Sequence, residues 1–370
     1  MKTVAIVLNT SWNIFNFRLN LMRAFKEQGF QVIAIAPRDE YSERLLELGF
    51  DEYHEIKMSN AGMNPMEDLR TLWDFIRLYR KVKPDIICHY TIKPNIYGTL
   101  AASINNIPSI NNVAGLGTLF LVDNMMTKLA KLLYKIALSR SHVVLFQNQD
   151  DCDLFIEGGL VKKEKVDLIP GSGVDLVRFS PRDKPYENDT LKFLLIGRML
   201  WDKGVGEFVS AARLLKAKYP QVVFQLLGAV DADNRSAITK SEVQQWVEEG
   251  IVEYLGNTDN VGDYISMAGC VVLPSYREGV PRTLLESAAM AKPLVTTDTV
   301  GCKDVVDDGV NGFLCELKSS EDLALKIEKI ILMSNQNRIT MGENGRRKIE
   351  TEFDENIVLS KYLEIVGSIQ

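Results

Sequence analysis

The chain has 370 residues, a formal net charge of −6 and 46% hydrophobic content, which is ordinary for a globular protein large enough for two domains. Its five cysteines have no CxxC spacing and its three histidines have no helical ligand spacing, which argues against disulfides and a structural zinc. The N-terminal apolar run is too short for a signal peptide, and no window holds the roughly 18 apolar residues of a membrane-spanning helix. We therefore expect a cytoplasmic protein with reduced thiols.

Charge is distributed unevenly along the chain. Residues 1–170 carry a net charge of +1 and residues 171–370 carry −7, while residues 69–140 alone carry +7. The basic segment is too aliphatic, and too poor in spaced aromatic residues, for a nucleic-acid surface. An anionic membrane surface or an anionic acceptor is the better partner for it.

Short apolar segments alternate with longer amphipathic ones, which is typical of βαβ units and a parallel sheet. The first half has predicted strands at residues 4–8, 31–36, 86–89, 109–113 and 143–147, and predicted helices at 17–28, 68–83, 96–105 and 125–139. After the polar, proline-containing linker at 181–190, strands are predicted at 191–196, 222–227, 252–255, 270–273, 294–297 and 312–314.

This pattern predicts an α/β protein with two Rossmann-like domains that face each other across a cleft. The domains span residues 1–170 and 171–353, and the helix of residues 354–370 crosses back to the first domain. Open parallel sheets bind ligands at the carboxyl ends of their strands, so the binding residues should follow the strands.

The most informative segment is residues 274–286, which follows an apolar strand and opens a helix. Pro281 fits the first helical position, and the free N–H groups and helix dipole there attract an anion. Glu278 and Glu286 frame this position, and carboxylates accept hydrogen bonds from hydroxyl groups. The arrangement suits a phosphate with a sugar on either side of it, as in a nucleotide sugar.

A second loop, residues 197–204, follows the strand predicted at 191–196. Gly197 permits a sharp turn, while Arg198 and Lys203 supply a guanidinium fork and a point charge, a common pair for a diphosphate. Taken alone, these cations could equally be a solvated loop. Together with the segment around Glu278, they favour a diphosphate site.

The predicted helix at 125–139 is a candidate membrane element. Lys128, Lys131 and Lys135 fall on one stripe, and Leu129, Leu132, Leu133 and Ile136 supply apolar surface. A basic amphipathic helix can lie in the interface of an anionic membrane. The alternative is an ordinary helix whose leucine face packs in the core.

With these motifs, the chain resembles the retaining glycosyltransferases of the GT-B class, family four. Residues 91–98, Gly115–Gly117 and 199–201 are further similar to enzymes that extend undecaprenyl-diphosphate-linked sugars, of the type that transfers N-acetylgalactosamine to lipid-linked bacillosamine. The resemblance implies a UDP-sugar donor, a polyprenyl-diphosphate-linked sugar acceptor, a hexose or N-acetylhexosamine as the transferred group, and no metal or other cofactor. It places the protein on the inner face of the cytoplasmic membrane.

The resemblance also implies roles for matching residues. Arg198 and Lys203 would stabilise the leaving diphosphate, Glu278 would hold donor-sugar hydroxyls, and Glu286 would accept bonds from the ribose. The other implied donor-binding residues are Gly197, Gly256, Gly279, Val280, Arg282 and Thr283. The implied acceptor or phosphate-binding residues are Asn16, in the loop after the first strand, Lys93, Gly115 and Gly117. For Lys93, a solvated loop lysine is the alternative.

One feature departs from the family pattern, and another resembles a metal-binding motif of a different fold. Many relatives carry a histidine near the fifth strand, where this chain has Asn111 and Asn112, so no acid/base residue is assigned. Asp231 and Asp233 resemble a metal-binding Asp-x-Asp, but their polar loop makes a coincidence the better interpretation. A nucleotide-sugar 2-epimerase and a non-catalytic protein on the same fold remain alternatives.

Overall fold

The computed structural model describes residues 1–58, 64–116, 125–182, 190–230, 234 and 236–369. The chain divides into two compact units, Met1–Ser172 with Asn356–Gln370, and Gly173–Glu355. The sequence-based boundaries, 170/171 and 353/354, lie close to these divisions. Gly117, Asp231, Asp233 and most of the expected linker fall outside the described residues.

The first unit is built on a parallel sheet in the order β3-β2-β1-β4-β5-β6-β7. Its strands are β1 Thr3–Val7, β2 Gln31–Ala36, β3 Glu52–Glu55, β4 Ile86–Tyr90, β5 Ser109–Val113, β6 Val143–Phe146 and β7 Val166–Leu168. Its helices up to residue 157 are α1 Ser11–Phe17, α2 Leu19–Glu27, α3 Tyr41–Glu47, α4 Pro65–Val82, α5 Thr99–Ile104, α6 Met125–Leu138 and α7 Gln149–Glu157. Every residue of β4 and β5 is buried, as expected for a parallel sheet covered on both faces.

The second unit repeats this plan with the strand order β10-β9-β8-β11-β12-β13. Its strands are β8 Lys192–Ile196, β9 Val223–Leu227, β10 Glu253–Tyr254, β11 Cys270–Leu273, β12 Leu294–Thr297 and β13 Gly312–Cys315. The helices that follow are α8 Val205–Lys218, α9 Lys240–Glu248, α10 Val261–Met267, α11 Arg282–Ala289, α12 Ser320–Leu332, α13 Asn335–Glu352 and α14 Glu355–Ser368.

Most of α14 belongs to the first unit. Tyr362 is fully buried there, accepts a hydrogen bond from Asn112 Nδ2 at 2.9 Å, and lies with its ring centroid 6.2 Å from that of Tyr90. The last helix therefore completes the core beside β4 and β5.

Several boundaries differ from those expected. The helix predicted at 17–28 is α2, which begins at Leu19, and a separate helix, α1, precedes it where no helix was predicted. Asn16 consequently lies on α1, not in the loop after β1, and its side chain donates to Trp12 O. Pro281 is the residue before α11, with extended backbone, and the helix begins at Arg282.

The first unit has a polar core between its sheet and α4 and α5. His89 is fully buried, with Nε2 2.9 Å from Tyr79 Oη and Nδ1 3.3 Å from Thr99 Oγ1. Burial lowers the pKa of His89 to about 3, so its ring is neutral. A Cβ on Gly98 would lie 2.5 Å from His89 Nε2, which explains the glycine at that position.

None of the helices in the described parts of the chain is long and apolar enough to cross a bilayer.

Candidate active site

The candidate site lies where the sheet of the second unit changes direction. Strand β8 has β9 on one side and β11 on the other, so the loops that follow β8 and β11 leave the sheet at its switch point. Ligands of open parallel sheets bind at this position. The two loops are residues 197–204 and 274–281, the segments singled out from the sequence.

An ion pair joins the two loops. Lys203 Nζ contacts Glu278 Oε1, and Ser275 Oγ donates to the same carboxylate oxygen at 2.7 Å. The side chains of Lys203 and Glu278 are 23% and 14% exposed, so the pair is half-screened from water but reachable. Ser275 was not singled out from the sequence, because its role depends on a contact that only folding creates.

Backbone contacts lock the loops to each other. Tyr276 N donates to Asp202 O at 2.9 Å, and a Cβ on Gly204 would lie 2.0 Å from Pro274 O. Gly204 has φ of +71°, so the glycine serves both the left-handed turn and the close approach. Glu278 N donates to Val300 O at 3.1 Å, which ties the loop to the segment after β12 as well.

Helix α11 presents its N-terminus beside this pair. Within the described chain, no side chain caps α11 and no acidic residue lies in its first turn. The positive end of the helix dipole therefore faces no carboxylate in that turn, a favourable environment for an anion. Val280, Arg282 and Thr283 lie at this end, and Thr283 Oγ1 donates to Ile196 O, the last residue of β8.

Glu286 lies one turn further along α11. Its side chain is buried to 11% exposure and accepts a hydrogen bond from Arg282 Nε at 3.0 Å. Arg282 thus partly balances a carboxylate that would otherwise be costly to bury. The oxygens of Glu286 remain acceptors for hydroxyl donors.

The remaining residues predicted for the donor site are three glycines and Arg198. A Cβ on Gly197 or on Gly256 would meet no described atom within 4 Å. Gly197 directly follows β8, and Gly256 is the second residue after β10. Gly279 is buried in the loop between β11 and α11. Arg198 is exposed and forms no hydrogen bond or ion pair with the residues the structure describes. Its charge is therefore unbalanced there.

A buried thiol lies under the ion pair. Burial raises the pKa of Cys302 to about 12, with Glu278 adding to the effect and Lys203 opposing it. This thiol is therefore neutral at ordinary pH, and it is neither a nucleophile nor a metal ligand in that state.

The residues expected to bind the acceptor in the first unit lie in different environments. Lys93 Nζ lies 2.9 Å from Asp68 Oδ1 in a largely buried ion pair, so the solvated-loop alternative is wrong and its charge is already balanced. Gly115 follows β5 with φ of +105°, at the carboxyl edge of that sheet. The roles expected for Asn16, Lys93 and Gly115 stay predictions.

The helix surfaces of the first unit expose apolar residues beside basic ones. On α6, the buried face is formed by Thr127, Ala130, Tyr134 and Ala137, whereas Met125, Leu129, Leu132 and Ile136 are exposed along one stripe. The leucine stripe therefore does not pack in the core, apart from the partly buried Leu133. Lys128 and Lys135 are exposed beside it and Lys131 is half-buried.

A second exposed stripe, on α4, was missed from the sequence. Met66, Leu69 and Trp73 lie at helical spacing, and Trp73 is 50% exposed. The Arg77 guanidinium lies 5.2 Å from the Trp73 ring centroid. Both α4 and α6 pack on the same face of the sheet, on either side of a π-helical turn, Pro94–Gly98.

Two Rossmann-like units, each built on an open parallel sheet, are the architecture of GT-B glycosyltransferases. Comparison with known proteins agrees. Residues 178–348 match the family described as "Glycosyl transferases group 1", and residues 3–148 match "Glycosyl transferase 4-like". The chain therefore belongs to the glycosyltransferases and has the GT-B fold.

Similar proteins include transferases with lipid-linked acceptors. The chain is 29% identical to N,N'-diacetylbacillosaminyl-diphospho-undecaprenol alpha-1,3-N-acetylgalactosaminyltransferase of Campylobacter jejuni, with 96% of each chain covered. It is 24% identical to UDP-Gal:alpha-D-GlcNAc-diphosphoundecaprenol alpha-1,3-galactosyltransferase of Escherichia coli, covering 78% and 76%. The crystal structure of HepE from Anabaena with UDP and glucose superposes with a TM-score of 0.80 at 18% identity over both whole chains.

Proposed function

We propose that this protein is a retaining glycosyltransferase that moves a hexose or N-acetylhexosamine from a UDP-sugar to a sugar carried on a polyprenyl diphosphate. The reaction serves assembly of a surface polysaccharide or a glycoprotein glycan. The observation that carries the proposal is the Lys203–Glu278 pair beside the uncapped N-terminus of α11. It combines a cation, a carboxylate and backbone N–H groups at one switch point.

In this proposal, the donor diphosphate lies between the loop of Arg198 and Lys203 and the N-terminus of α11. Both cations and the helix dipole stabilise the charge that develops as the bond between the sugar and the diphosphate breaks. Glu278 accepts hydrogen bonds from the donor sugar, and Glu286 from the ribose. Gly197 and Gly256 leave room for the ligand, since no side chain of the described residues comes within 4 Å of a Cβ at either position.

In the proposed reaction, each bond that forms is matched by one that breaks, and no protein nucleophile is needed. The acceptor hydroxyl oxygen forms a bond to the anomeric carbon on the face that the diphosphate leaves. The bond from that carbon to the diphosphate oxygen breaks, and the departing phosphate takes the hydroxyl proton. Fixed positions of donor and acceptor supply much of the rate by replacing an encounter in water. Lys203 and Arg198 already neutralise the phosphates, so we propose that no metal takes part.

We also propose that the protein acts as a peripheral protein on the inner face of the cytoplasmic membrane. The stripe on α6 offers apolar side chains to the acyl boundary and lysines to anionic headgroups. Each basic residue near such a surface contributes about 1 kcal/mol. The stripe on α4 adds a tryptophan, a residue favoured at the level of the headgroups. This location would bring the enzyme to a lipid-linked acceptor.

A transfer assay tests the proposal. Purified protein is incubated with a panel of radiolabelled UDP-sugars and with undecaprenyl-diphosphate-linked monosaccharides in anionic vesicles. We expect label in the lipid fraction, with an α linkage if the donor is an α-linked UDP-sugar. Lys203→Met should abolish transfer, whereas Lys218→Met, about 20 Å away at the other end of α8, should not. A 2-epimer formed from donor alone, or no transfer with any pair, would contradict it.

A further inference from the structure

The first unit buries a cation that pairs with no anion among the described residues. Arg18, between α1 and α2, is 6% exposed, and its guanidinium lies 4.3 Å from the centroid of the Tyr90 ring. Nη1 donates to Phe17 O at 3.2 Å, and Nε is buried with no hydrogen-bond partner in the described structure. No carboxylate among the described residues pairs with it. An arginine stays protonated, so a full positive charge lies in this interior.

The surroundings of Arg18 are neutral groups. Cys88, Tyr90 and Tyr362 lie close enough for the charge of Arg18 to act on them, and burial raises the pKa of each of them. Contact with an aromatic face recovers only part of the solvation that a buried cation loses. Lys93, a largely buried cation of the same unit, is balanced by Asp68. Arg18 is therefore available to an anion that the described residues do not supply.

The position of Arg18 in the sheet of the first unit is one where a ligand can bind. Strand β1 lies between β2 and β4, so the sheet of the first unit changes direction between β1 and β4. Arg18 belongs to the segment after β1, and Tyr90 is the last residue of β4. Arg18 thus lies at the edge where parallel sheets bind ligands.

Thr91 adds a second unsatisfied group at this edge. Its Oγ1 is buried without a hydrogen-bond partner in the described structure. Its φ of +63° is rare for a β-branched residue, so the backbone directly after β4 is held in a strained conformation.

We propose that Arg18 and Thr91 form an anion subsite that binds the diphosphate of the lipid-linked acceptor. This inference rests on the proposed function and extends it, because it assigns the acceptor diphosphate to a residue outside the donor site. The guanidinium offers N–H donors in a fork that matches phosphate oxygens, and the threonine hydroxyl offers one more. Neither residue was singled out from the sequence, since an arginine in a βα segment carries no signal of its burial.

Calorimetry with geranyl diphosphate, a water-soluble probe, tests the subsite independently of transfer. We expect wild-type protein to bind geranyl diphosphate and not geraniol. Arg18→Met should weaken this binding at least tenfold, Arg18→Lys should have an intermediate effect, and Arg23→Met, an exposed position on α2, should have none. UDP binding should be the same in all four proteins, which separates the acceptor diphosphate from the donor diphosphate.

Thermal unfolding of the same variants separates a binding role from a structural one. Removing an unbalanced buried charge should leave the Tm of Arg18→Met unchanged or higher. A lower Tm with unchanged geranyl diphosphate affinity would show that Arg18 only supports the core and would overturn the proposal. Equal losses of UDP and geranyl diphosphate binding would also overturn it. If Arg18→Met does not fold, unaltered geranyl diphosphate binding in Arg18→Lys would overturn the proposal instead.

Discussion

Lys203 and Glu278, which are 75 residues apart in sequence, form an ion pair that joins the loops after β8 and β11. The pair gives Glu278 two tasks: it orients the ammonium group of Lys203, and it lies where donor-sugar hydroxyls should come. A bound diphosphate would compete with Glu278 for Lys203. The two residues should therefore affect the binding of UDP, which lacks the donor sugar, in opposite ways.

Substitution of each partner tests this competition. Lys203→Met should weaken UDP binding at least tenfold, about 1.4 kcal/mol, because a cation next to the phosphates is lost. Glu278→Gln should leave UDP binding equal or tighter, because Lys203 is released, while kcat for transfer falls about 100-fold. Calorimetry and steady-state kinetics measure the two effects. Weaker UDP binding in Glu278→Gln would contradict the assignment of Glu278 to the sugar.

Glu286 should determine recognition of the ribose. If its carboxylate accepts hydrogen bonds from the ribose hydroxyls, wild-type protein should bind UDP more tightly than 2′-deoxy-UDP, about tenfold or more. Glu286→Gln should remove most of this preference. Glu350→Gln, in the similarly spaced Arg346–Glu350 pair of α13, serves as the control and should retain it. A preference that survives in Glu286→Gln would place the ribose elsewhere.

Membrane binding should depend on the two exposed stripes. Wild-type protein should sediment with vesicles rich in phosphatidylglycerol and only weakly with vesicles of phosphatidylcholine. The double change Lys128→Glu and Lys135→Glu should abolish the difference, and Trp73→Ala should weaken binding several-fold. The matched control is Lys162→Glu with Lys163→Glu, two exposed lysines of the same unit. Vesicle binding that is unchanged by the two α6 substitutions would contradict a membrane-binding surface on α6.

His89 should make the first unit sensitive to acid. Its folded-state pKa is about 3, and an unfolded histidine titrates near pH 6.5, so below pH 6.5 the unfolded chain binds a proton that the folded chain does not. Stability therefore falls as the pH drops from about 6.5 towards 3, by up to about 1.4 kcal/mol per pH unit.

Thermal unfolding between pH 7 and pH 4 measures this contribution. His89→Gln should show a smaller loss of Tm than wild type over this range, whereas His142→Gln, an exposed position, should follow wild type. Identical pH profiles for His89→Gln and wild type would show that His89 does not titrate as its burial requires.

The fold was largely predictable because its inner strands are apolar runs. The edge strands β3 and β7 were missed, since their residues are half-exposed or exposed and lack such a run. Helix α1 was missed because it is only seven residues long and begins in the polar segment of residues 9–11, which is typical of a turn. The fold class needs only the apolar pattern, whereas helix boundaries depend on caps and local contacts.

The two loops of the candidate site, residues 197–204 and 274–281, were predictable because each carries a dense local motif. Their contact was not, since the Lys203–Glu278 pair and the hydrogen bond of Ser275 arise only when β8 and β11 become neighbours. The ion pair of Lys93, and its absence at Arg18 among the described residues, could not be predicted, because the sequence does not show which carboxylate folding brings next to a single cation.

The most direct measurement is a crystal structure of the protein soaked with UDP in the presence of EDTA. We expect the diphosphate within hydrogen-bond distance of Lys203 Nζ and of backbone N–H groups between residues 279 and 283, with Glu286 on the ribose and no metal ion. A nucleotide bound away from these two loops, or bound only when a divalent cation is supplied, would contradict it.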